Sequence, residues 1–176
     1  MKTEYLLNRE VDLVLSMLTY RNALIMRVAL HTGLRIGDVL ALKTSKLAPR
    51  FWVTESKTGK RRQVGLPEPL LSDIKKQAGN VWAFESPKTG KPQTRQAVWK
   101  DVKRAAHALR LAQNVGPHSA RKVYAVDLMQ KYGDIDRVRR ALNHGSETIT
   151  MIYALADKQL YSKNRRRRSS AGRIKV

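Results

Sequence analysis

The sequence predicts a mainly α-helical protein with one small antiparallel β-sheet, an α+β fold. Apolar residues recur with a period of about 3.6 over most of the chain, as in amphipathic helices. Between residues 51 and 66 the pattern changes to two short strand-like runs separated by a Lys-Thr-Gly-Lys turn. The length of 176 residues suits one folded domain. We expect this domain over residues 1–162, followed by a basic tail over residues 163–176.

Three helices are expected before the sheet. Residues 7–19 carry an apolar stripe, and Asn8 is a candidate N-cap for this helix. Residues 21–31 are apolar around most of the helical circumference, which predicts a buried helix. Gly33 ends that helix, and a short third helix is predicted over residues 35–43.

The middle of the chain alternates short strands with helices. Proline residues introduce one helix, and Thr94 is a natural cap for the next. The predicted elements are, in order, strands over 51–54 and 61–66, a helix over 70–77, a third short strand over 81–84 and a helix from 94 to 111.

A helix start near residue 117 brings an imidazole and a guanidinium together. Pro117 is favoured where a helix begins, so His118 falls in the first turn and Arg121 lies on the same face. Exposed N–H groups and two cationic side chains at a helix N-terminus suit a phosphate. A second helix is expected after Gly133. The helix that follows this second one is expected to carry Tyr153.

The net charge points to a polyanionic partner. Lys and Arg number 35 against 14 Asp and Glu, which gives a net charge of +21 and a pI near 10.8. DNA, RNA or an anionic membrane would each balance this charge. A membrane is disfavoured, because no apolar run approaches the ~20 residues of a spanning helix and the tail has no apolar face. The chain has no cysteine and no recognisable signal peptide, so the simplest interpretation is a cytoplasmic protein.

Five short motifs resemble the catalytic domain of the tyrosine recombinases, the phage integrase family. The motifs occur in the order found in the family, and the resemblance as a whole spans roughly residues 7–155. The motifs are Thr32-Gly33-Leu34-Arg35, a hairpin turn with Lys57, His118-x-x-Arg121, Leu142-Asn143-His144 and Tyr153, nine positions beyond His144. The family usually has Gly where this chain has Asn143, a residue that also tolerates a left-handed conformation. Most members also carry a separate helical DNA-binding domain before the catalytic domain. In this sequence only six residues precede Leu7, where the resemblance begins.

The resemblance implies that Arg35 and Arg121 bind the phosphate that is cut. Two planar guanidinium groups match the non-bridging oxygens of a phosphodiester, and we name this pair the arginine clamp. Asp38 lies three residues after Arg35, and we expect it to pair with Arg35 and fix the direction of its guanidinium.

The resemblance also implies roles for the remaining motif residues. Tyr153 is the expected nucleophile, and His118 is the candidate base that activates it. Lys57 is expected to protonate the departing 5′-oxygen, with Lys60 as the alternative. His144 is expected to hydrogen-bond the scissile phosphate. Attack would leave a 3′-phosphotyrosyl linkage and a free 5′-hydroxyl.

The implied function is that of a site-specific DNA recombinase or integrase, encoded by a bacterium or phage and associated with the nucleoid. It would cut and rejoin double-stranded DNA without a cofactor, a metal ion or ATP, because the sequence shows no metal-ligand spacing and no Gly-rich phosphate loop. The family works as a tetramer on two synapsed DNA sites, so the resemblance implies a tetramer on DNA. Without DNA the protein could be a monomer. Further DNA contacts are expected from Lys60, Arg61, Arg62, Arg139 and Arg140.

Two other functions remain open at this stage. A type IB-like topoisomerase would use the same chemistry but relax supercoils without exchanging strands. A non-catalytic basic DNA-binding module would keep the fold without using Tyr153. The sequence also leaves open whether the basic tail docks on a neighbouring subunit or binds phosphates.

Overall fold

The computed structural model describes residues 4–142, and it confirms a mainly helical chain with a small two-stranded antiparallel sheet. No helix in this range is long and apolar enough to cross a membrane. The predicted boundary at residue 162 lies outside this range. The elements are, in order, α1 (Asn8–Met17), α2 (Tyr20–Thr32), α3 (Ile36–Leu40), a 3₁₀ turn (Thr44–Lys46), β1 (Arg50–Thr54), β2 (Arg61–Gly65), α4 (Glu68–Gln77), α5 (Arg95–Ala108), α6 (Pro117–Tyr132) and α7 (Ile135–Leu142).

The chain divides into two compact units, residues 1–124 and a second unit that begins at Ala125. The first unit contains the sheet, the first five helices and the start of α6. Of the second unit, the described residues form the rest of α6 and all of α7, where Val138 and Leu142 are buried.

Helix α2 is the centre of the first unit, as its apolar circumference predicts. It contacts α1, α3, α4 and β2. Ile25 and Val28 are fully excluded from solvent, and Leu24 is nearly so. Burying side chains of this size contributes about 1.5–3 kcal/mol each, so α2 supplies much of the stability on which its neighbours depend.

Helix α5 is held against the start of α2 by a buried carboxylate. Asp101 accepts hydrogen bonds from the backbone N–H and the hydroxyl of Thr19, at 2.9 and 3.0 Å, and from the Asn22 amide at 2.8 Å. Arg104 pairs with the other carboxylate oxygen at 2.7 Å. This cluster joins two helices that are distant in sequence.

The β-hairpin has one face in the core and one in solvent. Phe51 pairs with Val64 and both are buried, whereas Trp52 pairs with Gln63 on the exposed face. The connecting turn closes through Gly59, whose N–H donates to the Glu55 carbonyl at 2.9 Å and whose φ of 66° is in the left-handed region. The predicted turn is therefore confirmed.

Several predicted boundaries are corrected. Residues 81–84 do not form a strand, because Trp82 makes only an isolated bridge with Lys43. Helix α3 is shorter than predicted, since the chain turns into the 3₁₀ segment soon after Leu40. Asn8 is the first helical residue of α1, not its cap, and the Glu10 carboxylate instead accepts the Leu7 N–H at 2.7 Å.

Gly33 allows the close packing between the end of α2 and the start of α6. Its φ of 64° is left-handed, and its N–H caps α2 by donating to the Ala29 carbonyl at 2.8 Å. A Cβ atom added at Gly33 would overlap the ring of Tyr124. The position therefore needs glycine for both its conformation and its contact.

Replacing Gly33 with alanine is expected to destabilise the protein more than the same change at Gly90. Gly90 has a φ of 63° but nothing within 4 Å of an added Cβ, so Gly90→Ala should cost only the left-handed strain, about 1–2 kcal/mol. Gly33→Ala adds the overlap with Tyr124, about 1–3 kcal/mol more. Denaturant unfolding of the two variants measures the difference, and equal losses would contradict the packing role of Gly33.

Candidate active site

Strand alternation places a charged residue, Glu55, on the buried side of the hairpin. Phe51 and Val53 face the core on β1, and Glu55 continues this alternation directly after the strand. On β2, Arg62 shares the inward side with Val64. The family motifs did not point to Glu55 or to the inward orientation of Arg62. The alternation of inward and outward side chains along the two strands could have predicted both.

Glu55 joins two arginines from different elements. Its carboxylate is completely buried and contacts Arg35 Nη1 at 2.5 Å and Arg62 Nε at 2.9 Å. Burial alone would raise the pKa of Glu55, but the charge of Arg62, the hydrogen bond from Arg35 and the charges of Arg121 and Arg35 outweigh it and hold that pKa below its usual value. Glu55 is therefore an ionised carboxylate inside a cationic cluster.

Arg62 also connects this cluster to the end of α2. Its Nη2 donates to the Thr32 carbonyl at 2.9 Å, one residue before Gly33. Arg35 follows closely and is the N-cap of α3, in an extended conformation with φ −68° and ψ 147°. The short segment from Thr32 to Arg35 is thus held by contacts from the hairpin at both of its ends.

Arg121 reaches the same segment from α6. Its Nη1 donates to the Gly33 carbonyl, and the residue is only 8% exposed. Burial, followed by the positive charge of Arg35, lowers the pKa of Arg121 to about 10. The guanidinium still carries its charge at neutral pH, so Arg35 and Arg121 form a cationic pair, as the arginine clamp requires.

His118 and Lys57 belong to the same electrostatic cluster. His118 lies in the first turn of α6, as predicted, and Lys57 lies on the exposed turn of the hairpin. Partial burial of the ring, and then the charges of Arg121, Arg35, Lys122 and Lys57, lower the pKa of His118 below 6.5. At neutral pH the imidazole is therefore uncharged and can accept a proton.

Asp38 does not make the predicted pair with Arg35. Within residues 4–142, its Oδ1 accepts from the Ser56 N–H at 2.9 Å and from the Ser56 hydroxyl at 2.7 Å. Glu55, not Asp38, contacts the Arg35 guanidinium. The physical reason is that the hairpin turn brings the buried Glu55 up to Arg35, while Asp38 is used to hold the backbone of that turn.

The other predicted contact residues are divided between two environments. Lys60 and Arg61 are exposed on the hairpin, and the Arg61 guanidinium lies 5.4 Å from the centre of the Trp52 ring. Arg62 is turned inward, as described above, in contrast to its predicted contact with DNA. Arg139 and Arg140 are exposed on α7, and among residues 4–142 their ion pairs are long, 3.5 Å to Asp136 and 3.8 Å to Asp134 respectively.

Two predicted residues, His144 and Tyr153, lie outside the described residues. The structure thus brings together four of the six predicted catalytic positions: Arg35, Lys57, His118 and Arg121. Among residues 4–142, no group of three or more His, Cys, Asp or Glu side chains could hold a metal ion.

Removing the charge of Arg35 is expected to raise the pKa of His118. Arg35→Met eliminates one of the cations that disfavour protonation of the imidazole, so its NMR titration midpoint should rise towards 6.5. His31 provides the control, because burial and the charge of Arg27 lower its pKa. Arg27→Met should raise the pKa of His31 alone, and a His118 midpoint unchanged by Arg35→Met would contradict the cluster.

Sequence relatives agree with the motifs. The model of the phage integrase family matches residues 4–159. The probable integrase/recombinase YoeC of Bacillus subtilis (strain 168) is 35% identical over 130 residues, which cover 70% of this chain and 71% of YoeC. The tyrosine recombinase XerD of Mycobacterium tuberculosis (strain H37Rv) is 26% identical over 151 residues, covering 78% of this chain and 49% of XerD. The chain spans about half the length of the XerD relatives it matches.

Solved structures show the same fold. The XerA recombinase superposes with a TM-score of 0.73 at 22% identity, covering 92% of this chain and 64% of XerA. The catalytic core of lambda integrase superposes with a TM-score of 0.70 at 21% identity, covering 83% of this chain and 94% of that core. The chain therefore belongs to the phage integrase family, and it has the fold of a tyrosine recombinase catalytic domain.

Proposed function

We propose that this chain is the catalytic domain of a site-specific DNA recombinase or integrase, which cuts and rejoins duplex DNA through Tyr153. The observation that carries the proposal is the pair of preset arginines, Arg35 on Glu55 and Arg121 on the Gly33 carbonyl, whose charges act together with that of Lys57 on His118. The positive charges of Arg35, Arg62 and Arg121 outnumber the buried carboxylates of Glu55 and Asp38, so this site favours binding of an anion. A phosphodiester is the anion that suits them.

The arginine clamp acts on the phosphate. As the nucleophile attacks, negative charge builds on the non-bridging oxygens, and guanidinium groups that are already in place stabilise it without reorganisation. Arg121 is fixed through the Gly33 carbonyl and Arg35 through Glu55, so both are oriented before DNA arrives. Such preorganisation is worth several kcal/mol, since one lost oxyanion contact costs about 2.7–4 kcal/mol.

Proton transfers accompany the strand cleavage. The Tyr153 hydroxyl oxygen attacks phosphorus and forms the P–O bond, while the bond to the 5′-oxygen breaks. The lowered pKa of His118 keeps the imidazole neutral, which suits a group that takes the Tyr153 proton. Lys57 gives a proton to the departing 5′-oxygen, with Lys60 as the alternative, and His144 donates a hydrogen bond to the phosphate. The reverse reaction with an incoming 5′-hydroxyl rejoins the strand and frees Tyr153.

Double-stranded DNA is the proposed substrate, bound by a tetramer of the protein on two synapsed sites. The net charge of +21 supports a nucleic acid partner. Among the structural neighbours, XerH is bound to its difH substrate and lambda integrase forms a tetramer bound to a Holliday junction. The exposed Lys60, Arg61, Arg139 and Arg140 are proposed to contact the DNA backbone. The curated relatives come from bacteria, which supports a cytoplasmic, nucleoid-associated enzyme.

Recombination is favoured over the two other functions considered. The curated relatives are named as recombinases and integrases, which supports strand exchange over relaxation alone. A non-catalytic module would have no need for a neutral His118 beside a cationic phosphate site.

Tyr153→Phe is expected to abolish covalent attachment to DNA. Wild type, incubated with supercoiled plasmid in EDTA and stopped with SDS, should give protein–DNA adducts that a protease removes, because the phenol oxygen carries the broken strand. Tyr132→Phe is the matched control, since Tyr132 is an exposed tyrosine whose ring stacks with Arg137 and needs no hydroxyl for that contact. It should retain wild-type adduct levels. Adducts that persist in Tyr153→Phe would overturn the mechanism.

A further inference from the structure

Glu55 is an acidic group at the centre of a site that must bind an anion. A carboxylate beside the arginine clamp would normally repel a phosphate, yet this one is completely buried. It contacts Arg35 at 2.5 Å and Arg62 at 2.9 Å, and the side chains of these two arginines are themselves only 13% exposed. A buried carboxylate costs several kcal/mol to desolvate unless such contacts compensate it, so its place in this site needs a reason.

The geometry shows what Glu55 fixes. Arg35 is the N-cap of the five-residue helix α3, where its backbone is not held by helical hydrogen bonds on both sides. A long side chain at such a position would lose considerable rotamer freedom on ordering. Glu55, directly after β1, holds Arg35 at one guanidinium nitrogen. A planar guanidinium with five N–H donors can make further contacts through its other nitrogens.

Arg62 acts as a brace for Glu55. Its guanidinium donates to the Glu55 carboxylate at 2.9 Å and to the Thr32 carbonyl at 2.9 Å, so Glu55 has a second anchor besides Arg35. The chain of contacts therefore runs from the end of α2 through Arg62 and Glu55 to Arg35. Arg121 donates to the next carbonyl in the same segment, that of Gly33. Both arginines of the clamp are therefore positioned by the same backbone segment, Arg121 directly and Arg35 through Glu55 and Arg62.

We propose that Glu55 is a positioning residue that presets the Arg35 guanidinium for a phosphate, with Arg62 as its brace. The inference rests on the proposed function only in taking that phosphate to be the one cut in DNA. Glu55 also offsets the repulsion between Arg35 and Arg121 while no phosphate is bound, so the clamp keeps its shape when empty. When a phosphate arrives, the clamp need not reorganise.

The cleavage test compares Glu55→Gln with Asp101→Asn. Both replace a buried carboxylate that contacts arginine by its uncharged isostere, but Asp101 joins α5 to α2 and contacts none of the four clustered residues. Single-turnover adduct formation should fall about 100-fold in Glu55→Gln, the loss typical of a misplaced catalytic group. DNA affinity should change less than about threefold. Asp101→Asn should lower the melting temperature and leave the single-turnover rate within about threefold of wild type.

A second measurement needs no DNA and separates this inference from the proposed function. Inorganic phosphate is titrated into protein with ¹⁵N-labelled arginine, and the Arg35 Nε–H signal, identified by its loss in Arg35→Lys, is followed by NMR. Phosphate should shift this signal in wild type, and Glu55→Gln should weaken the phosphate affinity about tenfold. Glu55→Asp keeps the charge and should fall between wild type and Glu55→Gln, and it replaces Glu55→Gln if that variant does not fold.

The outcomes are distinct. Wild type that forms no DNA adduct, but whose Arg35 signal responds to phosphate in a Glu55-dependent way, would overturn the proposed function and support the positioning role. Wild type that forms adducts, with Glu55→Gln or its replacement equal to it in rate and phosphate affinity, would overturn the positioning role alone. A rate loss in Asp101→Asn as large as that in Glu55→Gln would also overturn it, because it would show that any buried carboxylate has the same effect.

Discussion

The ion pair between Glu55 and Arg35 is the contact on which the rest of the site depends. Breaking a buried pair by removing one partner costs about 3–5 kcal/mol, because the remaining charge stays buried. That cost holds the end of the first hairpin strand against the start of α3. The hairpin turn also carries Lys57, so the same contact ties the candidate general acid to the candidate phosphate ligand. The guanidinium groups of Arg35, Arg62 and Arg121 can be kept close together in the absence of DNA because the negative charge of Glu55 lies among them.

The backbone from Thr32 to Arg35 is the common reference for this arrangement. Arg62 binds the Thr32 carbonyl, Arg121 binds the Gly33 carbonyl, and the ring of Tyr124 occupies the space that a side chain at Gly33 would need. Helix α2 supplies the rigidity behind this segment, since its buried apolar side chains fix the end from which the segment emerges. The fold thus converts burial of an apolar helix into precise placement of charged groups.

The sequence predicted the helices, the hairpin and four clustered site residues because each has a local signal. The periodicity of residues 21–31 and the Lys-Thr-Gly-Lys turn are properties of neighbouring residues. The partner of Arg35 was mispredicted because proximity in sequence favoured Asp38, whereas Glu55 reaches Arg35 only through the folding of the hairpin. The predicted strand over residues 81–84 was wrong for a similar reason. The β-propensity of a segment does not show whether another strand pairs with it along its length. The alternation of residues along β2 could have predicted that the Arg62 side chain points inward. Its positive charge instead led to a predicted contact with DNA.

The most direct test of the central claim is a crystal structure of the Tyr153→Phe protein bound to a duplex that the wild type cleaves. The account predicts that guanidinium nitrogens of Arg35 and Arg121 both lie within about 3.2 Å of non-bridging oxygens of the same phosphate. It also predicts that Glu55 still contacts Arg35 in that complex. A phosphate bound without Arg35, or an Arg35 that has left Glu55 to reach it, would contradict a clamp set in advance by a buried carboxylate.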